Sequence, residues 1–505
     1  TTLRTDPISL LIMADNSKSQ SDGIITVIVL GASGDLAKKK TYPALFGLYR
    51  MGYLPEGTHI VGYARSKLEL GDFRERISSY MKTPTEDAKE KLEEFKQLCT
   101  YVSGPYDKVD GYQRLDVAIS GVERNVKGSK NRVFYMALPP SVFVPVARGV
   151  KLSSYSRSGF NRLIVEKPFG RDLESSRQLH LALAPLWKED EIYRIDHYLG
   201  KEMVKNLLTI RFANVFFGAV WNRQCISNVQ ITFKEKIGTE GRGGYFDEFG
   251  IIRDVMQNHI LQILSIVAMQ RPVSLDAEDV RDEKVRVLRS IPPVKIEETL
   301  LGQYTRSEDK SKPGYLEDST VPQGSNCPTF AAAVLWINNE RWEGVPFILK
   351  CGKALNEQKT EIRIQFQDVP GNVFRGAPRN ELVIRVQPNE AMYMKFVNKQ
   401  PGLSMDTVIS ELDLTYKRRF SDLKIPEAYE SLILDVIKGD HSNFVRDDEL
   451  DAAWKIFTPL LHAIENENLT PVSYPYGSRG PAGVHEFVAK YGYKRTEDYV
   501  WSESK

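Results

Sequence analysis

The sequence lacks the paired cysteines that stabilise secreted proteins or bind zinc. Its cysteines are Cys99, Cys225, Cys327 and Cys351, which are far apart and form no CxxC pair. Neither a disulfide framework nor a zinc site is therefore predicted, and we expect no bound metal. Because unpaired cysteines suit a reducing compartment, we predict a cytoplasmic protein.

An excess of charge of one sign is also missing. Lys plus Arg number 68 and Asp plus Glu number 66, which gives a formal net charge of +2 without long blocks of either sign. A nucleic-acid partner is therefore not predicted. Apolar runs of the roughly 20 residues that span a bilayer are absent too, so no membrane partner is expected. With 505 residues the chain is too long for one ordinary core, and two large domains are expected.

The first 22 residues contain the apolar stretch ISLLIMA, flanked by Asp6 and Asp15. This stretch is shorter than most signal-peptide cores. We interpret residues 1–22 as a flexible N-terminal tail, with Met13 as a candidate natural start, in preference to a targeting signal.

Strand and helix patterns alternate in the first part of the chain. IITVIVL is a continuous apolar run that ends at Gly31, a helical stretch closes at Gly52, and HIVGYARS follows as a second strand. Buried-strand patterns recur at 131–140 and 161–170. We therefore predict a Rossmann-type, doubly wound parallel sheet over residues 23–199.

After about residue 200 the strands alternate between apolar and polar residues. In TEIRIQF, Ile362, Ile364 and Phe366 share one face, and the opposite face is polar. We predict an α+β domain over residues 200–505, with a mainly antiparallel sheet that has one wetter face. Further strands are predicted at 228–234, 381–388 and 391–399, and helices near 247–269, 426–438 and 448–466.

Small residues lie where the first strand meets the first helix. VIVLGASGDLAKKK allows backbone amides to approach a pyrophosphate at a helix N-terminus. The GxxGxxA spacing is less specific than GxGxxG, and an ordinary tight turn is the alternative. A kinase-type phosphate loop is excluded, because no second Gly is followed by Lys and Ser or Thr. The candidate dinucleotide contacts are Gly31, Ala32, Ser33, Gly34, Asp35 and Leu36.

The second strand ends in Arg65 and Ser66, where NAD enzymes carry an acidic residue for the ribose 2′-hydroxyl. A guanidinium at this position favours a 2′-phosphate, so NADP is predicted over NAD; a solvated surface arginine is the alternative. ALPPS and EKPFG end two later strands and add Ala137, Leu138, Pro139 and Lys167 to the same edge. Lys167 is placed to orient the nicotinamide and a substrate hydroxyl together, unless it is an ordinary surface lysine.

RIDHYLGKEMVKNLL contains Asp196, His197, Tyr198 and Lys201 at the start of a predicted helix, with Lys205 one turn later. Imidazole, phenol and ammonium groups beside the positive end of a helix dipole suit a phosphate monoester. The alternative is a buried structural histidine with a solvated lysine pair.

Asp254 and His259 interrupt an apolar helical pattern in GIIRDVMQNHILQIL. Oxidation of an alcohol needs a base for the hydroxyl proton, and histidine titrates in the right range. Residues five apart are about 140° apart around an α-helix, so these two are not expected to hydrogen-bond. We predict His259 as the general base and Asp196 as the carboxylate that orients it; a buried structural histidine is the alternative.

Taken together, GASGDLAKKK, YARS, ALPPS, EKPFG, RIDHYLGKE, GTEGRGGYFD, GIIRDVMQNH and CGKALNE resemble the glucose-6-phosphate dehydrogenase family, from about residue 25 to Trp501. The resemblance implies oxidation of glucose 6-phosphate to 6-phospho-D-glucono-1,5-lactone with NADP+, the first step of the oxidative pentose phosphate pathway. It also implies that His259 is the base and Asp196 its orienting residue. The substrate contacts that it implies are Lys167, His197, Tyr198, Lys201, Glu235, Asp254 and Lys353.

Eukaryotic, fungal-like members of this family also bind a second, structural NADP in the α+β domain, and a cation cluster here fits that pattern. The matching residues are Lys350, Lys359, Arg363, Arg385, Tyr393, Lys395, Asp413, Arg479 and Trp501. A basic, solvated sheet face is the alternative. Phe143, Gln358 and Arg495 depart from the family pattern. The resemblance further implies a homodimer or homotetramer.

Two other functions are open on the sequence alone. One is a glucose–fructose-type oxidoreductase acting on an unphosphorylated sugar, and the other is a non-catalytic NADPH sensor. The cationic HYLGKE segment argues against the first, because a neutral sugar needs no cation cluster. The presence of His259, Asp196 and Lys201 argues against the second.

Overall fold

The structure is a computed structural model that describes residues 23–125, 127–374, 376–416, 420, 423 and 425–496. The tail predicted at 1–22 and the nucleotide contact predicted at Trp501 lie outside the described residues. The chain divides into two compact units. The first contains the chain up to Phe169 together with 179–195 and 429–444, and the second contains 170–178, 196–428 and the chain from Val445 onward.

The first unit is built on a parallel sheet. Its strands are β1 (Gly23–Leu30), β2 (His59–Ala64), β3 (Cys99–Ser103), β4 (Ser129–Met136), β5 (Asn161–Val165) and β6 (Ile192–Ile195). The sheet order is β6-β5-β4-β1-β2-β3, with the two-residue strand Phe444–Val445 beside β6. Neighbours from β6 to β3 are parallel. This confirms the predicted Rossmann-type sheet, whose ligand crevice lies where β1 and β4 end.

Helices flank the strands of the parallel sheet. The helices before residue 200 are Tyr42–Arg50, Leu70–Ser78, Glu86–Leu98, Val109–Val122, Phe143–Ser153 and Leu173–Leu183. The segment Tyr429–Phe444, which contains most of the helix Ala428–Lys438, returns to the first unit. Gly47 in the helix Tyr42–Arg50 allows a close approach, because a Cβ there would lie 1.8 Å from the carboxylate of the buried Glu430.

The second unit contains a nine-stranded sheet. Its strands are β7 (Ile226–Lys234), β8 (Thr299–Thr305), β9 (Phe330–Trp336), β10 (Pro346–Gly352), β11 (Lys359–Phe366), β12 (Glu381–Gln387), β13 (Ala391–Lys399), β14 (Thr407–Asp413) and β15 (Val472–Pro475). The order is β14-β13-β12-β11-β7-β10-β9-β8-β15. Only β7–β10 and β8–β15 pair in parallel among these described strands. The predicted mainly antiparallel sheet is thereby confirmed.

A buried helical rod forms part of the core of the second unit. It is a π-helix over Ile252–Ile260 that continues as the α-helix Leu261–Ala268, every residue of which is buried. The other helices after residue 200 are Glu202–Phe212, Val215–Val220, Gly243–Asp247, Ala277–Arg289, Asp447–Asn466 and Val484–Lys490. Among the described residues, no helix combines the length and apolar character needed to cross a membrane.

The expectation of a wetter sheet face is wrong for β11. On its polar face Glu361 is only 2% exposed and Gln365 only 3%. Arg363 donates to Glu361 at 2.6 Å, and Gln365 donates to the carbonyl of Lys494 at 2.8 Å. Buried charged and polar groups need such partners. Alternation predicts the strand, but it does not indicate that a distant segment of chain covers the polar face.

Candidate active site

His259 and Asp196 form a buried hydrogen-bonded pair in the second unit. His259 Nδ1 lies 2.6 Å from Asp196 Oδ1, and the two residues are 2% and 3% exposed. The same Asp196 oxygen accepts the backbone N–H of Tyr198 at 3.0 Å, which fixes the carboxylate. This is the contact that the sequence predicted. A carboxylate on Nδ1 directs the other ring nitrogen, Nε2, to act as the proton acceptor.

The backbone that carries His259 differs from the expected α-helix. Ile252–Ile260 is a π-helix, in which hydrogen bonds join residues five apart, so Asp254 and His259 are about one turn apart instead of 140°. Their expected angular separation is therefore wrong, although the assignment of Asp196 as the partner stands on the observed contact. Asn258 fixes this turn: its Oδ1 accepts the N–H of His259 at 2.7 Å, and its Nδ2 donates to the carbonyl of Asp254 at 3.1 Å.

Two rings pack against the imidazole of His259. The ring centroids of His197 and Tyr198 lie 4.5 Å and 4.6 Å from that of His259. The Tyr198 hydroxyl lies 3.0 Å from Thr360 Oγ1 and accepts a hydrogen bond from Gln387 Nε2 at 2.7 Å. Burial, more than any neighbouring charge, raises the pKa of Tyr198 well above its ordinary value.

The environment of Tyr198 is fixed within the protein. Its hydroxyl is bonded to Thr360 and Gln387 and the residue is 1% exposed, while its contact with a substrate phosphate stays a prediction. Thr360 and Gln387 were missed from the sequence. The sequence shows that each lies in a strand of alternating polar and apolar residues. Such a pattern does not indicate that both side chains contact Tyr198 on another segment.

The helix Glu202–Phe212 presents cations at its N-terminus. Lys201 is the N-cap, and its ammonium lies 5.2 Å from the centre of the Tyr198 ring. Met203, Val204 and Leu207 are buried and hold the helix against the core. Lys205 follows Lys201 by four residues, with its N–H bonded to the Lys201 carbonyl at 3.0 Å. The structure therefore brings the cationic helix start next to the His259 environment.

A second polar group in this unit consists of Lys353, Glu235 and Asp254. Lys353 Nζ donates to Glu235 Oε2 at 2.5 Å and lies 3.7 Å from Asp254 Oδ2. Burial alone would lower the pKa of Lys353, but the carboxylates of Glu235 and Asp254 outweigh it, and the pKa is raised. The ammonium is thus held protonated and positioned by two acceptors, as the predicted substrate contact requires.

The loop that is predicted to bind the nucleotide lies in the first unit, after β1. Gly31 has a φ of +86°, and a Cβ there would lie 2.3 Å from the carbonyl oxygen of Ala137 at the end of β4. Ser33 Oγ lies 3.1 Å from Ser66 Oγ, which connects this loop to the end of β2. Asp35 pairs with Lys39 at 2.8 Å, and Leu36 precedes the short π-helix Ala37–Thr41. A tight loop without side-chain bulk fits a pyrophosphate.

The strand ends of the first unit carry the other predicted nucleotide contacts. Arg65 directly follows β2, is exposed, and lies with its guanidinium 5.5 Å from the centre of the Tyr106 ring. Ala137, Leu138 and Pro139 follow β4, and Lys167 is half-buried shortly after β5. The neighbouring Glu166 is buried and accepts a hydrogen bond from the Tyr135 hydroxyl at 2.6 Å. These residues are compatible with a bound NADP.

The cations expected to hold a structural nucleotide lie on the polar face of β10 to β13, among carboxylates. Arg363 lies 2.9 Å from Glu381, Lys359 lies 3.6 Å from Glu361, Arg385 lies 3.8 Å from Glu361, and Lys395 lies 2.6 Å from Glu381. Tyr393 is buried and pairs with Asp413 across β13 and β14. Arg479 is exposed beyond β15.

Lys350 on β10 differs from its neighbours. Within the described chain no carboxylate pairs with its ammonium, and burial, followed by the charges of Lys234, Arg363 and Lys359, lowers its pKa to about 7. A bound anion would offset the positive charges around Lys350. The lowered pKa of Lys350 therefore favours an anion site at this face.

The ligand atoms of Asp196, His197 and His259 lie within 4.8 Å of one another, a spacing that a metal ion could bridge. The hydrogen bond between Asp196 and His259 accounts for most of this closeness. The site therefore contains a histidine bonded to a carboxylate, cations at a helix start and a charged trio, which together suit proton transfer from a hydroxyl of an anionic substrate.

Comparison with known proteins gives a consistent family. “Glucose-6-phosphate dehydrogenase, NAD binding domain” matches residues 28–206, and “Glucose-6-phosphate dehydrogenase, C-terminal domain” matches residues 208–501. The glucose-6-phosphate 1-dehydrogenase of Emericella nidulans is 64% identical over 478 residues, which cover 94% of this chain and 93% of that protein. The cytoplasmic glucose-6-phosphate 1-dehydrogenase 5 of Arabidopsis thaliana is 56% identical over 490 residues, covering 95% and 93%.

A solved structure has the same architecture. It is a glucose-6-phosphate dehydrogenase in complex with its substrate glucose-6-phosphate, with a TM-score of 0.92 and 55% identity. The match covers 95% of this chain and all of that chain.

Proposed function

The chain belongs to the glucose-6-phosphate dehydrogenase family. On that premise we propose which residues act in the oxidation of D-glucose 6-phosphate at C1, in which NADP+ accepts the hydride. The product is 6-phospho-D-glucono-1,5-lactone. The observation that carries the proposal is the buried His259–Asp196 pair beside a cationic helix start. A glucose–fructose-type oxidoreductase and a non-catalytic sensor are not favoured by this family membership.

His259 takes the proton of the C1 hydroxyl at Nε2. Asp196 holds the imidazole through Nδ1 at 2.6 Å and stabilises the positive charge that the ring gains. Tyr198 packs on the ring at a centroid distance of 4.6 Å, and its own bonds to Thr360 and Gln387 keep it in place. The base therefore has a fixed orientation before the substrate binds.

The substrate is held by charge at one end and by acceptors at the other. His197, Lys201 and the helix N-terminus bind the phosphate, because a cation and a helix dipole both favour a dianion. Glu235, Asp254 and Lys353 bind the sugar hydroxyls or phosphate through their preformed ion pairs. Lys167 contacts both the sugar and the dinucleotide in this proposal.

The dinucleotide is held by the first unit. Gly31, Ala32, Ser33 and Gly34 approach the pyrophosphate, with Asp35 and Leu36 completing the loop, and Ala137, Leu138 and Pro139 line the crevice beside it. Arg65 and Ser66 bind the 2′-phosphate, which gives the preference for NADP. We assign dinucleotide binding to residues 23–199, which also contribute Lys167, Asp196, His197 and Tyr198 to the substrate site, and we assign the other substrate contacts and oligomerisation to residues 200–505.

We further propose a second, structural NADP at the cation cluster of β10 to β13. Lys350 supports it, since no carboxylate of the described chain forms an ion pair with its ammonium and a bound anion would do so. We also propose a homodimer or homotetramer in the cytoplasm. The names of the plant relatives, which include cytoplasmic isoforms, support the location.

The direct test is the NADPH absorbance assay with the purified chain. Glucose 6-phosphate and NADP+ should give turnover, and unphosphorylated glucose should require far higher concentrations, because it lacks the phosphate that the cations bind. Absence of NADPH formation with glucose 6-phosphate, or equal efficiency with both sugars, would refute the proposed function.

A further inference from the structure

Arg76 brings an additional cation to the predicted nucleotide loop, and it lies outside both the GASGDLAKKK and the YARS motifs. It lies on the helix Leu70–Ser78, where Phe73 and Ile77 are buried and Arg76 itself is exposed. Its Nε donates to the carbonyl oxygen of Ser33 at 2.9 Å. A residue eleven positions after Arg65 is thus anchored directly on the loop that the dinucleotide occupies.

The surroundings of this contact identify which part of the dinucleotide it faces. Ser33 also contacts Ser66 at the end of β2, with 3.1 Å between their hydroxyl oxygens, and Tyr101 donates to the carbonyl of Ser66 at 2.5 Å. The end of β2 is where the 2′ position of the adenine ribose is recognised in this architecture. Arg65 and Arg76 therefore flank the same Ser33–Ser66 bridge.

The helix that carries Arg76 is held in a fixed position. The Phe73 ring stacks on Tyr101 with centroids 4.5 Å apart, and Phe73 also meets Tyr42 edge-on at 5.8 Å. Tyr101 is the residue whose hydroxyl bonds to Ser66. The contacts of Phe73 thus lock the helix of Arg76 to the strand ends.

Charge points to the same conclusion. No carboxylate of the described chain forms an ion pair with Arg65 or Arg76, whereas nearby Lys96 pairs with Glu75 at 2.7 Å and Lys39 with Asp35 at 2.8 Å. A 2′-phosphate carries close to two negative charges, so one guanidinium leaves it incompletely neutralised. Nε of Arg76 is used on Ser33, and no hydrogen bond within the described residues uses its terminal nitrogens, which are donors in the planar arrangement that suits phosphate.

We propose that Arg76 is a second determinant of NADP specificity, which binds the 2′-phosphate together with Arg65. This inference rests on the proposed use of NADP and adds a residue to that same site. The alternative is that Arg76 only stabilises the loop through its hydrogen bond to Ser33. Such a structural role would affect NADP and NAD alike, because both share the pyrophosphate that the loop holds.

The test compares Arg76→Ala and Arg76→Lys with Arg74→Ala. Arg74 is the matched control: it lies on the same helix, but its guanidinium is bonded to the carbonyl of Cys99 at 3.2 Å and to Gln97 at 3.0 Å. For each variant kcat/KM is measured with NADP+ and with NAD+. Inhibition constants are measured for adenosine 2′,5′-bisphosphate and for 5′-AMP, which differ only in the 2′-phosphate.

Arg76→Ala should lower kcat/KM for NADP+ by about tenfold, as expected for one charge-assisted contact, and leave NAD+ within about twofold. The inhibition constant of adenosine 2′,5′-bisphosphate should rise by a similar factor, while that of 5′-AMP should not change. Arg76→Lys should recover part of the loss. Equal losses for both dinucleotides, no loss, or the same loss in Arg74→Ala would overturn the inference. If Arg65→Ala loses NADP+ selectivity and Arg76→Ala does not, the inference fails while the proposed function stands.

Discussion

The replacement His259→Asn tests whether the buried pair is the catalytic base. A positioned general base contributes about 10²- to 10⁴-fold in rate, which is about 2.7 to 5.4 kcal/mol of barrier at 1.36 kcal/mol per tenfold. We expect the upper part of that range, because His259 is 2% exposed and bulk water has little access to replace it. KM for glucose 6-phosphate should change little, since the variant leaves the phosphate cations in place.

Asp196→Asn tests the other half of the pair. The amide can still accept the Tyr198 N–H, which Asp196 Oδ1 accepts at 3.0 Å, so local structure should persist while the negative charge is lost. We expect kcat to fall by up to about 10⁴-fold, the loss that follows when the orienting Asp of a Ser-His-Asp triad becomes Asn. Because the two side chains act as one unit at 2.6 Å, the double variant should be no slower than His259→Asn alone.

Turnover is followed by NADPH absorbance over a range of substrate concentrations, and thermal unfolding confirms that each variant is folded. His462→Asn is the matched control, because it removes a histidine that also lies near a carboxylate, 3.4 Å from Asp172, but is about half exposed. Near-normal kcat in His259→Asn, fully additive losses in the double variant, or an equal loss in His462→Asn would refute the reasoning.

Three further predictions concern ligand binding. Lys201→Ala should raise KM for glucose 6-phosphate by tenfold or more, at about 1.4 kcal/mol per tenfold, and affect free glucose far less; equal effects in steady-state kinetics would refute the phosphate role. Burial lowers the pKa of Lys350 to about 7, so at about pH 8 its side chain should be mostly neutral when no anion is bound. Binding of NADP at the second site favours the charged ammonium and should therefore take up a proton. Calorimetry in two buffers of different ionisation enthalpy measures this uptake, and Lys350→Met should abolish it. Gly31→Ala should weaken NADP+ binding and lower the free energy of unfolding by about 1 to 3 kcal/mol. The reason is that Gly31 has a positive φ and that a Cβ there would lie 2.3 Å from the Ala137 carbonyl oxygen. Unchanged dinucleotide affinity in a fluorescence titration would contradict this prediction.

The parts of the fold that local chemistry determines could be predicted from the sequence. The apolar run of β1 is buried along nearly its whole length, as a central parallel strand must be, and Arg65 does follow β2. Asp196 and His259 are 63 residues apart in the chain, and their pairing was predicted because the base needs a carboxylate that Asp254 was thought unable to supply. Functional need identified this contact, since no local pattern links the two segments.

The features that were missed depend on backbone register or on distant chain. At Ile252–Ile260 the backbone hydrogen bonds join residues five apart, as in a π-helix, and not four apart, as in an α-helix. Over only nine residues the spacing of apolar side chains does not distinguish the two. Gln365 is bonded to chain at Lys494, 129 residues later. Likewise, Arg76 belongs to a helix whose exposed charges look like any solvated face until its contact with Ser33 is seen.

Charge balance indicates how the two polar groups of the second unit divide the substrate between them. Glu235 and Asp254 bring two carboxylates to one ammonium, Lys353, so this trio carries an excess of negative charge and would repel a phosphate dianion. It offers several acceptors, which suits sugar hydroxyls. The helix start at Lys201 has the opposite character, because its ammonium and the helix dipole both attract anions. Of the two ligands proposed for the Lys353 group, sugar hydroxyls therefore fit better than phosphate, and we propose that the phosphate lies at the Lys201 end. On that proposal Lys353→Met should impair glucose and glucose 6-phosphate alike, unlike Lys201→Ala.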